Sequence, residues 1–373
     1  MNATRTKTIE TIAPSGERVW LRRFCKLVCF STLLLIFAGG LVKSHDAGLS
    51  VPDWPNSYGQ NMFLFPPSQW VGNIFYEHTH RLIASSVGFM TLILAVWLTL
   101  ADPRRWVKTL GWCALGAVIA QGVLGGLTVL FLLPASISVA HGVLAQTFFV
   151  ITIVLAYSQS RERRDRERFN EATNPALGKW ALIIAALVYI QLILGAVMRH
   201  SESGLAIPDF PATGGHWLPW FDDATLASVN GWRFEHNMEY GRELPPVTMS
   251  QVVIHFIHRF WALVVTVAIG ALTYKAVRGG WASGKPLRTV YLQLGGVLAQ
   301  FSLGALTVWT HKAPNITSLH VVTGAGLLGV ATLLSLRALP VGAGQKSGAA
   351  SSKHVRVKLD QTAHAPISGS VVQ

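Results

Sequence analysis

The chain has 373 residues, of which 51% are hydrophobic and 13% charged, with a formal net charge of +13. Several apolar runs reach the roughly 20 residues needed to cross a bilayer, which excludes a soluble globular protein: too little polar surface would remain to face water. The basic excess would suit a nucleic-acid binder, but its clusters fall between alternate apolar runs, which excludes that class and points to a charge-oriented membrane protein.

In chain order, the apolar runs predict eight spans, at roughly 24–43, 79–100, 107–130, 136–157, 177–198, 250–274, 287–309 and 317–337. Span one follows a basic N-terminal segment (Arg18, Arg22, Arg23, Lys26) and lacks a small-residue cleavage site at its exit, so it reads as an uncleaved span. Further basic clusters follow span two (Arg104, Arg105, Lys108), span four (Arg161 to Arg168), span six (Lys275, Arg278, Lys285, Arg288) and span eight (Lys346, Lys353, Arg356, Lys358). The positive-inside rule then places both termini in the cytoplasm of a multi-pass cell-membrane protein. The three cysteines, Cys25, Cys29 and Cys113, lie near the cytoplasmic starts of spans one and three, which argues against an outer-face disulfide or thiol relay.

The chain repeats itself. Gly39-Gly40-Leu41-Val42-Lys43 leads to Gly48-Leu49-Ser50-Val51-Pro52-Asp53-Trp54-Pro55, and Gly195-Ala196-Val197-Met198-Arg199 leads, without a gap, to Gly204-Leu205-Ala206-Ile207-Pro208-Asp209-Phe210-Pro211. Each half is a four-span unit, and an even span number gives both halves the same orientation. The expected fold is all-α: an integral membrane protein with eight transmembrane helices in two pseudo-symmetric four-helix bundles. The expected domains are a cytoplasmic segment 1–23, an N-terminal bundle 24–160, a cytoplasmic linker 161–176, a C-terminal bundle 177–338 and a disordered tail 339–373. The loops 43–78 and 199–249 are expected to form irregular or short-helical caps.

Four histidines occupy repeated places. His80 and His258 each precede an arginine, Arg81 and Arg259, while His141 and His320 each follow a Gln-x-x-Leu-Gly-x-Leu-Thr-Val segment at identical spacing. All four fall near the outer ends of spans two, four, six and eight, at one depth. An imidazole inside a membrane calls for a partner, and haem iron is a common one. His80 with His141, and His258 with His320, could face each other from neighbouring helices across one porphyrin each. Zinc is the other metal option, although the repeat order favours two separate two-ligand sites. Glu77 shares a helix face with His80, whereas His255 fills that slot in the second half. A carboxylate can serve as a base or stabilise a developing cation; the plainer readings are an interfacial acid and an interfacial histidine. Arg81, Arg259, Lys43 and Arg199 put positive charge on the outer side. Pairing with haem propionates or simple snorkelling would each explain it. Gln121 and Gln300 suggest interhelical hydrogen bonds, and Gly125, Gly126 and Gly304 suggest close helix packing.

These residues resemble the haem A synthase family (CtaA type, cysteine-free branch). The likeness covers about residues 24–337 and rests on Glu77-x-x-His80-Arg81, on His141, His258 and His320, on eight spans and on the Gly-Leu-x-x-x-Asp-aromatic loops. It implies haem b as cofactor, bound in the C-terminal bundle by His258 and His320 with Arg259. It implies haem O as substrate near His80, His141 and Arg81, its ring methyl oxidised to a formyl group with help from Glu77, to give haem A for cytochrome oxidase. Implied partners are a haem O synthase, a quinol or other electron donor and membrane lipid, with no nucleic acid; a homo-oligomer stays open. Two rival functions fit parts of the pattern. A di-haem b electron carrier without haem-modifying activity fits the four histidines. A repeat-built transporter fits the repeat, but would place its polar groups nearer the bilayer midplane.

Overall fold

The computed structural model describes residues 17–169, 174–240 and 245–340. Among the described residues there are ten α-helices and no strand. They are α1 (Glu17–Ser44), α2 (Asn73–Ala101), α3 (Arg105–Leu130), α4 (Ala135–Ser158), α5 (Arg161–Phe169), α6 (Pro175–His200), α7 (Asp223–Tyr240), α8 (Met249–Arg278), α9 (Gly284–Trp309) and α10 (Pro314–Ala338). Eight of them, all but α5 and α7, are long and apolar enough to cross a membrane. Helix is what such sequences must form in lipid, because only a helix satisfies every backbone group within the segment. Large apolar side chains such as Phe89, Ile119, Leu263 and Val267 stand exposed along the spans, as lipid-facing residues do.

The predicted spans coincide with these helices, with one instructive difference. Helix α2 begins at Asn73 rather than near residue 79, so Glu77, His78 and His80 all lie inside it. Local chemistry marks several starts. Asn174 caps α6 through Oδ1, which accepts from the N–H groups of Ala176 and Leu177, and Pro175 opens the helix. Thr248 and Gln251 form a capping box at α8.

Helix contacts close into two rings, α1–α2–α3–α4–α1 and α6–α8–α9–α10–α6. The histidine-bearing helices α2 and α4 therefore stand diagonally in the first ring, and α8 and α10 in the second. The expectation of neighbouring helices was too simple: the paired histidines stand on helices across the diagonal of each ring. The rings join through α1, α4, α6 and α10. At that seam Phe149 and Ile153 of α4 pack on Ala325 of α10. Gly329 keeps the approach close, since a methyl there would lie 3.1 Å from Ile153 Cδ1. Each ring has its own apolar core, one around Leu94, Leu98, Val107 and Leu155, the other around Ile184, Ile269, Leu272 and Leu334.

The charged junction after α4 is helical over its described part. In α5, Arg166 donates to the carbonyls of Leu336 and Leu339, and Glu162 pairs with Arg337, so the segment is bound to the end of α10. The 43–78 loop holds two short 3-10 turns, as expected of a cap. The 199–249 loop instead contains the 18-residue α7, longer than expected. Val229 of α7 packs on Ala206, Ile207, Val247 and Val252, and the Arg233 guanidinium donates to the Leu205 and Pro245 carbonyls. The expected tail beyond residue 340 and its basic cluster lie outside the described residues.

Candidate functional site

Each of the four repeated histidines rests its ring on a glycine of the preceding span in its ring of helices. A methyl built on Gly39, Gly125, Gly195 or Gly304 would lie 3.0, 3.3, 3.1 or 3.2 Å from Cε1 of His80, His141, His258 or His320, respectively. No ordinary Cβ fits comfortably at such distances, so the glycines are ledges for the imidazoles as well as sites of close helix approach. His80 and His141 stand on the diagonal helices of the first ring, and His258 and His320 on those of the second. All four rings are half-buried. Nδ1 of His80, His141 and His320 is nevertheless enclosed without a hydrogen-bond partner.

Three of these histidines meet a glutamine one helical turn from the glycine ledge on the preceding span. Gln121 donates to the His141 carbonyl at 3.0 Å. Gln191 donates to the His258 carbonyl at 3.1 Å and lies 3.3 Å from both ring nitrogens. Gln300 lies 3.3 Å from His320 Nε2. Sequence reasoning found Gln121 and Gln300 but missed Gln191. The signal was present: each glutamine stands four residues before its glycine ledge, one helical turn away on the same face.

Above the histidines, the two loops are built alike. The Arg81 guanidinium donates to the carbonyls of Val51, Asp53 and Asn56. The Arg259 guanidinium donates to the equivalent carbonyls of Ile207, Asp209 and Ala212. Asp53 accepts from the N–H groups of Tyr58 and Gly59, and Asp209 from those of Gly214 and Gly215. The Trp54–Pro55 and Phe210–Pro211 peptides are both cis. Lys43 and Arg199 are likewise engaged within the protein. Lys43 pairs with Glu202 at 2.6 Å, and Arg199 donates to the Gly40 carbonyl and to Ser44 Oγ, so both tie one half to the other.

The Glu77 slot shows where the halves part. Glu77 Oε2 accepts from the Val51 N–H at 2.7 Å, and Oε1 accepts from Arg81 at 2.6 Å. His255 faces the equivalent donors, the Ile207 N–H at 3.1 Å and the Arg259 Nε–H at 3.2 Å. A neutral imidazole has one acceptor nitrogen. His255 can therefore satisfy one of these donors while Glu77 satisfies both and cancels the charge on its arginine. His78, beside Glu77, is turned into the first loop, where Ser57 Oγ lies 3.2 Å from Nδ1 and Phe65 and Trp70 pack on the ring.

The donor set fits haem iron: two imidazoles on the diagonal helices of each ring, each resting on a glycine ledge, with no carboxylate or thiolate joining them in a cluster among the described residues. Among the described residues no three His, Cys, Asp or Glu side chains converge as a metal cluster. The three cysteines are free thiols on α1 and α3.

The chain is similar to known proteins over most of its length. Residues 22–332 match the family model COX15-CtaA, described as cytochrome oxidase assembly protein. A "Heme A synthase" of Shewanella oneidensis is 26% identical over 340 residues, covering 86% of this chain and 96% of that one. One of Beijerinckia indica is 28% identical, covering 80% and 87%. One of Shouchella clausii is 25% identical over 204 residues, which is 53% of this chain and 65% of that protein. The chain is a multi-pass membrane protein of the COX15-CtaA family of cytochrome oxidase assembly proteins.

Proposed function

We propose that this protein is a haem A synthase, a membrane oxidoreductase that converts the ring methyl of haem O to a formyl group and so makes haem A for cytochrome oxidase. The observation that carries this reading is the unequal pair of sites. Two equivalent imidazole pairs differ in the loop-anchoring slot, which holds the Glu77 carboxylate in one half and the His255 imidazole in the other. The "Heme A synthase" names of the relatives supply the reaction.

In this reading haem O binds between His80 and His141 in the N-terminal half, residues 24–160, and haem b between His258 and His320 in the C-terminal half, residues 177–338. When bound, the haem irons supply the electron-transfer and oxidising chemistry. The protein's own part is to position and enclose. The glycine ledges set the depth of each ring. Arg81 and Arg259 contribute to haem binding by holding the loops that cover the two sites. Glu77, on the same face as His80 and one turn nearer the loop, is the catalytic residue. Its carboxylate anchors the loop through Val51 and can take up a proton or stabilise developing positive charge beside the substrate. A quinol or another donor supplies electrons, a haem O synthase supplies substrate, and the protein lies in the cell membrane with both termini cytoplasmic.

Co-expression with a haem O synthase, followed by chromatography of the extracted haems, tests the assignment. Haem A in the wild type and its loss in Glu77→Gln, with haem still bound, are expected. Haem b alone under a haem O supply would make the protein a di-haem carrier instead.

A further inference from the structure

The four histidine seats differ in one respect. Beneath His141, His258 and His320, four residues before the glycine ledge, stand Gln121, Gln191 and Gln300. Beneath His80 the ledge is Gly39, and the residue four before it is Leu35. Leu35 belongs to the apolar core of the first ring of helices and offers no hydrogen bond. The three amides each retain a buried carbonyl oxygen without a partner, and the Nδ1 atoms of His141 and His320 are enclosed without one. The amide nitrogens of Gln121 and Gln191 donate to the backbone carbonyls of His141 and His258, and that of Gln300 lies 3.3 Å from His320 Nε2. A hydrogen bond that holds a metal-binding histidine in place fixes the direction in which its ring faces the metal and strengthens the hold on it. His80 Nδ1 is also buried and unpartnered, but it has no amide to meet.

We propose that Gln121, Gln191 and Gln300 are positioning residues for His141, His258 and His320, and that Leu35 leaves His80 as the one axial donor without an amide partner, hence the exchangeable one. This rests on the assignment of the two haem sites above and deepens it. A resident cofactor is seated by two amide-backed ligands. A substrate that must enter and leave is held by one firm ligand, His141, and one loose ligand, His80.

The experiment uses the full-length protein purified with haem b bound, and follows haem transfer to excess apomyoglobin by absorbance. The N-terminal phase is identified as the one missing in His141→Ala, and the C-terminal phase as the one missing in His320→Ala. Gln191→Leu and Gln300→Leu are expected to speed the C-terminal phase about tenfold, the range for loss of a hydrogen bond to a metal ligand. Leu35→Gln is expected to slow the N-terminal phase by a similar factor and to shift the ferric low-spin resonance of that site towards the C-terminal one, a signature that packing alone would not produce. Gln121→Leu gives a second arm in the N-terminal half and should speed its phase. Unchanged release in Gln191→Leu with haem retained, or a Leu35→Gln protein with both its N-terminal release and its resonance unaltered, overturns the proposal. Retention of both haems in the two histidine variants would instead overturn the haem-site assignment.

Discussion

The two halves of this molecule keep the same scaffold and differ in what surrounds it. Both place two histidines on glycine ledges, and both grip a Pro-Asp-aromatic-Pro loop with the arginine that follows the first histidine. In the N-terminal half the slot beside that arginine holds a carboxylate; in the C-terminal half it holds an imidazole. The N-terminal loop carries two short 3-10 turns, while the C-terminal loop adds α7, packed over Ile207. A third difference is compensated. Trp54 lies flat on Gly126, whose added methyl would come within 2.5 Å of the indole, while the equivalent pair is the smaller Phe210 with Ala305. Duplicated sites diverge first in charge and enclosure, because those can change without moving the ligands.

The largest way to break the comparison is to remove one member of a histidine pair. His258→Ala should lower the haem content of the purified protein by about half and abolish haem A formation, read by haem extraction and chromatography. Next comes the carboxylate. Glu77→Gln should reduce haem A yield about 100-fold, in the range of general acid–base contributions, with haem b still bound. Glu77→Ala should in addition destabilise the protein by about 3–5 kcal/mol in thermal or denaturant unfolding, because Arg81, only 10% exposed, would keep a buried charge without its counter-ion. Unaltered haem A yield in Glu77→Gln would remove the carboxylate from the chemistry.

Making the halves alike sharpens the point. His255→Glu gives the C-terminal half its own carboxylate against Arg259 and should lower the midpoint potential of that haem, on the order of 50 mV in a redox titration. Gly126→Ala should cost about 1–3 kcal/mol by overpacking Trp54, and Trp54→Phe in the same chain should recover most of it. The smallest effect is acid loosening of the first loop. Burial pushes the Asp53 carboxyl up, but the N–H groups of Gly59 and Tyr58, with Arg81 near, hold it below the usual carboxylate range. A depressed folded value means that the carboxylate stabilises the loop above the unfolded value and that the contribution is lost as pH falls through the folded one. Protease cleavage between residues 56 and 64 should therefore rise on acidification below about pH 4, and Asp53→Asn should show it already at neutral pH.

Much of the site was legible in the chain because a repeat aligned against itself reveals positions that composition conceals. The four histidines, Glu77 and its counterpart His255 stood out at matched places. Gly125 and Gly304 read only as helix-packing residues, and Gly39 and Gly195 only as parts of the repeat, since nothing in their spacing names the ring that will rest on them. Gln191 was missed because it sits within an apolar run and becomes significant only beside His258. The arginines and Lys43 were read against haem propionates or snorkelling. Their bonds to loop carbonyls and across the halves depend on how loops of distant sequence fold back over the helix ends.

By itself the sequence determined the eight spans, the duplication and the places of the histidines along their spans, because hydropathy and helical rise act along the chain and need no neighbours. Only the tertiary structure decided that the histidine-bearing helices stand diagonally, that Glu77 and His255 anchor equivalent loop amides, and that His80 alone lacks an amide beneath it. Those are relations between segments far apart in the chain. They are set by which surfaces pack and which buried donors must find an acceptor, a condition that no single segment can meet alone.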